Sequence, residues 1–177
     1  SGVSTYEYCY DTTDDGACSN WTSNGGARTV TLSGLSPATT YYWHVRAMNV
    51  TGTTYANGSS TAYRSFTTIP NPPAAFSKTS PANGATDQPT SLTLSWAAST
   101  GATSYEYCYD SSNDNACSNW TSNGSSTSKA LSGLSTGTTY YWHVRAVNAG
   151  GATYADGSSE AYRSFTTLPN PPAAFGK

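Results

Sequence analysis

Apolar and polar residues alternate with a period of two along much of this chain, the signature of strands with one face turned inward. Ser91 to Trp96 places Leu92, Leu94 and Trp96 on one face, and in the next run Tyr105, Tyr107 and Tyr109 alternate with Glu106, Cys108 and Asp110. After a polar loop, residues 117–121 read as a short return strand, and Leu131 and Leu134 mark another. Thr139 to Asn148 is the longest run, and Ala161 to Thr167 closes the set. Upstream, Pro72 to Phe76 reads as a junction, and Ser80 to Gly84 as a first edge strand interrupted by proline. No stretch combines helical periodicity with capping residues. About seven short antiparallel strands in about 100 residues predict an all-β, two-sheet sandwich.

The pattern occurs more than once. Residues 1–78 and 100–177 align without a gap at an offset of 99, with 54 of 78 positions identical. A period of this length is one small domain, so the chain reads as a stretch of a tandem array. The expected organisation is a partial repeat over 1–70 lacking its first two strands, a complete repeat over 71–169, and the start of a further one over 170–177. The first copy has no counterpart of residues 79–99, so its sandwich should lie open, with an exposed inner face and an unpaired edge.

Charge narrows the function. Only 10% of residues are charged and the net charge is −2, which leaves no footprint for nucleic acid. No apolar run is long enough to span a bilayer, so no membrane insertion is expected of this segment. Ser and Thr number 55, and with 13% aromatics this describes β-structure with a hydroxyl-rich exterior rather than disorder. Cys9 and Cys18 recur as Cys108 and Cys117. The even count and repeated spacing favour one hairpin disulfide per repeat in an oxidising compartment, with the cysteines opposite one another on neighbouring strands. A zinc site would need CxxC-type spacing, which is absent.

The run Leu35-x-Pro37-x-Thr39-x-Tyr41-x-x-x-Val45-x-Ala47-x-Asn49 returns at Leu134, Thr138, Tyr140, Val144, Ala146 and Asn148, with Thr136 in place of the proline. On these residues, and on Trp96 in the second strand, the repeat resembles a fibronectin type III domain, and more closely the near-identical repeats of large bacterial surface proteins. The resemblance implies that Tyr41 and Tyr140 act as tyrosine corners, bonding back to the backbone. It also implies adhesive, spacing or accessory roles. The hairpin cysteines are not general in that family.

Few residues suggest chemistry. His44-Val45-Arg46 and His143-Val144-Arg145 are the polar candidates. With the valines inward, the histidines and arginines should project outward, Arg46 pairing with Glu7 and Arg145 with Glu106 across strands. Catalysis would need a second carboxylate or a nucleophile beside them, and none is evident. Asp11 to Gly16 could suggest a calcium loop, but its counterpart Asp110 to Asn115 loses a carboxylate, and these are ordinary turn formers. No metal or cofactor is expected. Trp43, Trp96 and Trp142 read as core; Tyr42, Tyr141, Tyr55 and Tyr154 read as the exposed aromatics. Acceptor sequons for glycan stand at Asn20, Asn49, Asn57, Asn119 and Asn123.

Together these features point to a non-enzymatic structural segment of a secreted surface protein, forming a stalk, sheath or filament. Its expected partners are neighbouring repeats, identical copies in a fibre, and glycans. The alternative is an adhesin, or an accessory module beside an extracellular polysaccharide-degrading enzyme.

Overall fold

The computed structural model describes residues 2–116 and 119–173, which form two compact units, one up to Pro70 and one from Asn71. In the first unit, strands β1 (Thr5–Asp11), β2 (Thr22–Ser23), β3 (Thr40–Asn49), β4 (Gly52–Tyr55) and β5 (Arg64–Thr67) form one antiparallel sheet. The long β3 is its axis: β1 lies along one edge, while β4 and β5 share the other.

The second unit holds β6 (Lys78–Ser80), β7 (Ala85–Gln88), β8 (Leu92–Trp96), β9 (Ser104–Asp110), β10 (Thr121–Ser122), β11 (Ser128–Leu131), β12 (Thr139–Asn148), β13 (Gly151–Tyr154) and β14 (Arg163–Thr167). One sheet runs β10-β9-β12-β14-β7, with β13 also on β12; the other runs β11-β8-β6. The expected sandwich is present, with two differences. Seven strands become nine segments, because β13 returns from β12 through the tight Ala149-Gly150 turn and the short, polar β7 finds an edge on β14. The β7–β14 pair is also parallel, where an all-antiparallel fold was expected. The Ser80-Pro81 bond at the end of β6 is cis.

Between the two sheets lies the core, built from Phe76, Leu94, Trp96, Tyr105, Tyr107, Leu131, Leu134, Trp142, Val144, Ala146, Ala155 and Phe165. The period-two reading assigned most of these inward positions. At the bend into each long strand a tyrosine hydroxyl accepts a backbone amide: Ser36 N–H on Tyr41 Oη and Ser135 N–H on Tyr140 Oη, both at 2.9 Å.

Among its described residues the first unit has one sheet and no second layer. Residues 29–32, the counterpart of β11, form no strand although they include Thr29, Val30 and Thr31. β-propensity depends on a partner, and the strand that β11 pairs with, β8, has no counterpart in this unit. Trp43 was expected in a core. It is instead 36% exposed, and Phe66 is 37% exposed, whereas their counterparts Trp142 and Phe165 are both 0% exposed. The same residue on the same strand is a core residue only where a second sheet covers it.

The cysteine geometry also departs from expectation. Cys9 and Cys18 are bonded, with Cα atoms 6.1 Å apart, but Cys18 lies in the loop before β2 rather than opposite Cys9 on a neighbouring strand. Ladder pairing between β1 and β2 involves only Tyr8 with Thr22 and Glu7 with Ser23, so the bond closes the loop where pairing has ended. Cys108 is disulfide-bonded, and Cys117 lies outside the described residues.

The two tryptophans form an internal comparison. Truncating a buried tryptophan costs about 3–5 kcal/mol, so Trp142→Ala should lower the stability of the second unit by that amount. Trp43→Ala should cost the first unit well under half as much. Denaturant titrations followed by residue-resolved amide signals would check this, and equal losses at the two sites would contradict the open-face description.

Candidate functional site

On the face of each sheet away from the inner side, strands β1 and β3, and likewise β9 and β12, align the polar residues singled out above. Glu7 stands opposite Arg46 and Cys9 opposite His44; Glu106 stands opposite Arg145 and Cys108 opposite His143. The Glu–Arg pairs form, with Arg46 Nη2 2.5 Å from Glu7 Oε2 and Arg145 Nη2 2.6 Å from Glu106 Oε2. Each guanidinium also lies over a tryptophan: Arg46 Cζ is 4.1 Å from the Trp21 ring centre, and Arg145 Cζ is 4.4 Å from that of Trp120. Guanidinium on indole is the favourable cation–π pairing.

Both histidines, expected to project outward, are buried on this face. The cause is a short 3-10 turn, Ala56–Gly58 or Ala155–Gly157, with the chain that follows it, which folds across the sheet and covers the imidazole. His44 packs against Trp21, Tyr55 and Tyr63, and His143 against Trp120, Tyr154 and Tyr162. Tyr55 and Tyr154 are therefore half-buried in this cluster rather than free on the surface, and Tyr42 and Tyr141 are half-buried too. The ring Nε2 lies 2.8 Å from the Ser59 carbonyl in one unit and 2.8 Å from the Ser158 carbonyl in the other. A carbonyl only accepts, so Nε2 carries the proton in both.

In the second unit a buried lysine completes the cluster. Lys78 Nζ lies 3.0 Å from His143 Nδ1, 2.6 Å from the Ala161 carbonyl and 3.1 Å from Asp156 Oδ2. Its three N–H donors thus meet three acceptors, which is what burying an ammonium requires. Asp156 also receives the Lys78 backbone amide and an N–H of Arg163. Burial, then the Lys78 charge, push the His143 imidazole down to about 4. Burial likewise lowers Lys78, against the pull of Asp156. Desolvation alone would raise Asp156, but Lys78 and Arg163 hold it below the usual carboxylate range.

Sequence reasoning missed Lys78, which lies 65 residues from His143 in a proline-flanked segment. A signal was present: of three lysines in the chain, two, Lys78 and Lys177, occupy the same position in successive copies. Chemically the cluster is a clasp. Both nitrogens of His143 are occupied and all three donors of the lysine are engaged. Among the described residues no group of three or more His, Cys, Asp or Glu could hold a metal ion.

The other candidates resolve into turns and surface. Asp11 Oδ1 accepts the Thr13 amide and Asp15 Oδ1 the Ala17 amide; Asp110 and Asp114 do the same for Ser112 and Ala116. These are Asx turns. Among the sequons, Asn20 and Asn119 are exposed. Asn57 is exposed at a positive φ of 58°, and Asn49 uses its Oδ1 to accept the Thr51 and Gly52 amides. Asn123 spends both Nδ2 protons on the carbonyls of Ser126 and Ser128, so its amide nitrogen is occupied.

Two sheets packed face to face, with a tyrosine corner at the bend into the long strand, define an immunoglobulin-like sandwich module. Residues 80–161 match the fibronectin type III domain family, and the second unit is a fibronectin type III-like domain. Among curated proteins the chain is similar to endoglucanase B of Cellulomonas fimi, 36% identical over 151 residues. That match covers 80% of this chain and spans 13% of the endoglucanase. Among solved structures it is similar to the FN1-FN3 domains of chicken CNTN1, with a TM-score of 0.49 and 16% identity, over 93% of this chain and 56% of that one. No helix among the described residues is long and apolar enough to cross a membrane.

The histidine generates a pH dependence. Unfolded, His143 titrates near 6.5; folded, near 4. Between these values the unfolded chain binds more protons, so the contribution is complete above pH 6.5 and is lost as pH falls towards 4, by about 3 kcal/mol at most. Asp156, depressed when folded, acts in the same direction at lower pH, its contribution being lost as pH falls through its folded pKa. Urea titrations of the second unit at pH 7 and pH 4 should show the loss, and His143→Gln should flatten the slope between pH 6.5 and 4. An unchanged slope in that variant would contradict the assignment.

Proposed function

We propose that this chain is a structural spacer segment of a secreted protein, made of tandem fibronectin type III-like repeats and carrying no catalytic centre of its own. The observation that carries this reading is the use made of the chemically capable residues. Glu106, Arg145, His143, Lys78 and Asp156 all bond to one another or to backbone, clasping the terminal turn to the sheet, and four of the five recur 99 residues away. The first unit is then a repeat of the same kind without the strands equivalent to β6, β7 and β8. A disulfide between Cys9 and Cys18 supports an oxidising, extracellular location. Near-identical units present the same hydroxyl-rich surface at regular intervals, which suits a stalk, sheath or filament built by lateral contact between identical copies. Glycan on Asn20 and Asn119 would lie on that surface.

A second reading has a specific support, the 36% identity to a short stretch of an endoglucanase. On that reading the repeats are accessory or spacer modules attached to an extracellular polysaccharide-degrading enzyme. Electron microscopy of the native material separates the two: strings or fibres with a regular repeat are expected, and isolated globular particles would overturn the filament. Pull-down on insoluble cellulose and a glycan array using the full chain should show no retention for a purely mechanical spacer; specific retention would favour the accessory module.

A further inference from the structure

The first unit presents an uncovered inner face, and the second unit shows what such a face holds. Tyr6, Tyr8, Trp43, Val45 and Phe66 have the same identities as Tyr105, Tyr107, Trp142, Val144 and Phe165. The latter five are buried under β8 and β6 with Leu94 and Trp96. In the first unit the face forms an open apolar groove. From this correspondence we infer that the groove is a binding site for a further copy of the segment 71–99, seated as residues 71–99 are seated in the second unit. The inference rests on the tandem reading above for the source of that segment, but not on the filament.

Two independent places in the first unit match this occupant. Along the edge strand of the second unit, Thr153 Oγ1 donates to the Pro73 carbonyl, the Asp156 amide donates to the Phe76 carbonyl, and the Lys78 amide donates to Asp156 Oδ1. A Cβ placed on Gly151 would lie 3.7 Å from Pro72. The counterparts in the first unit, Thr54 and Asn57, are exposed, and a Cβ on Gly52 would meet nothing within 4 Å. The second place is the histidine clasp. The segment carries the lysine that meets His143, and His44 is buried in the same aromatic pocket with Nε2 on the Ser59 carbonyl. Asn57 stands for Asp156 there, and its carboxamide oxygen can accept from an ammonium without a charge.

The chain's single complete 71–99 segment is already folded into its own unit, so a second chain of the same length could supply it only by opening its own sandwich. An additional copy is therefore the occupant.

The test uses the full 177-residue chain with a second copy of residues 71–99 fused ahead of Ser1, and, separately, the unextended chain with a synthetic peptide of that sequence. On seating, amide exchange in β1 and β3 should slow into the range of β9 and β12, and Trp43 emission should shift to the blue. A methionine in place of the added lysine should leave the exchange protection of β1 and β3 in place, because the apolar face and not the lysine carries the seating. Unchanged exchange in both formats overturns the inference. So does self-association through the Trp43 face that persists in the extended chain, or binding of cello-oligosaccharide to that face with the segment present. Seating of the segment by material that microscopy shows as isolated particles would keep this inference and remove the filament, while fibres built from chains that do not seat it would do the reverse.

Discussion

A β-sheet of alternating residues has one apolar face, and everything else in this molecule follows from whether that face is covered. In the second unit Leu94 and Trp96 of one sheet close over Tyr105, Trp142, Val144 and Phe165 of the other, and all of these are buried. Burying a large apolar side chain contributes about 1.5–3 kcal/mol, and packing at interior density adds dispersion that an open face lacks. The first unit has the same ladder between its two longest strands, in the same register, without that contribution. Backbone pairing thus sets the shape of each sheet, and face-to-face burial decides which residues are core.

The outer faces solve a different problem. The turn after β4 or β13 and the chain leading into the last strand must be held against the sheet with little apolar surface available. The solution is a stack of polar and aromatic groups: guanidinium on indole, indole against imidazole, imidazole donating to a carbonyl of the turn. Lys78 extends it by bonding one residue near the start of its unit to groups near the end, through His143, Asp156 and Ala161. A buried charge is tolerated because every donor finds an acceptor. Residue types that would suggest acid–base chemistry in a cleft are here consumed as structural bonds.

This explains what was legible beforehand and what was not. Period-two alternation located β8, β9, β12 and β14, since each has a buried and an exposed side. The Glu7–Arg46 and Glu106–Arg145 pairs were readable because cross-strand neighbours follow from register. β7 and β13 were not, being short, polar edge segments whose existence depends on a neighbour. The burial of His44 and His143 escaped the same logic: strand parity places them on the outer face, but parity does not reveal that a later turn covers it. Cys18 was misplaced because the hairpin was taken to pair up to the cysteines, while the ladder extends only to Tyr8 and Thr22. The Lys78–His143 contact depends on a separation of 65 residues, which local pattern does not encode.

The positions where the two copies differ bear on the open face. Identity over 54 of 78 positions could by itself reflect duplication without constraint. The differences, however, are unevenly placed. Within the groove itself the loop-side residues Arg28 and Val30 become Thr127 and Lys129, whereas the sheet residues Tyr6, Tyr8, Trp43, Val45 and Phe66 are unchanged. If the groove of the first unit were an ordinary solvent-exposed surface, a tryptophan and a phenylalanine more than a third exposed would be replaceable like its other exposed residues, and large contiguous apolar patches are uncommon on isolated domains. A face whose residues match a core position for position is better understood as half of one.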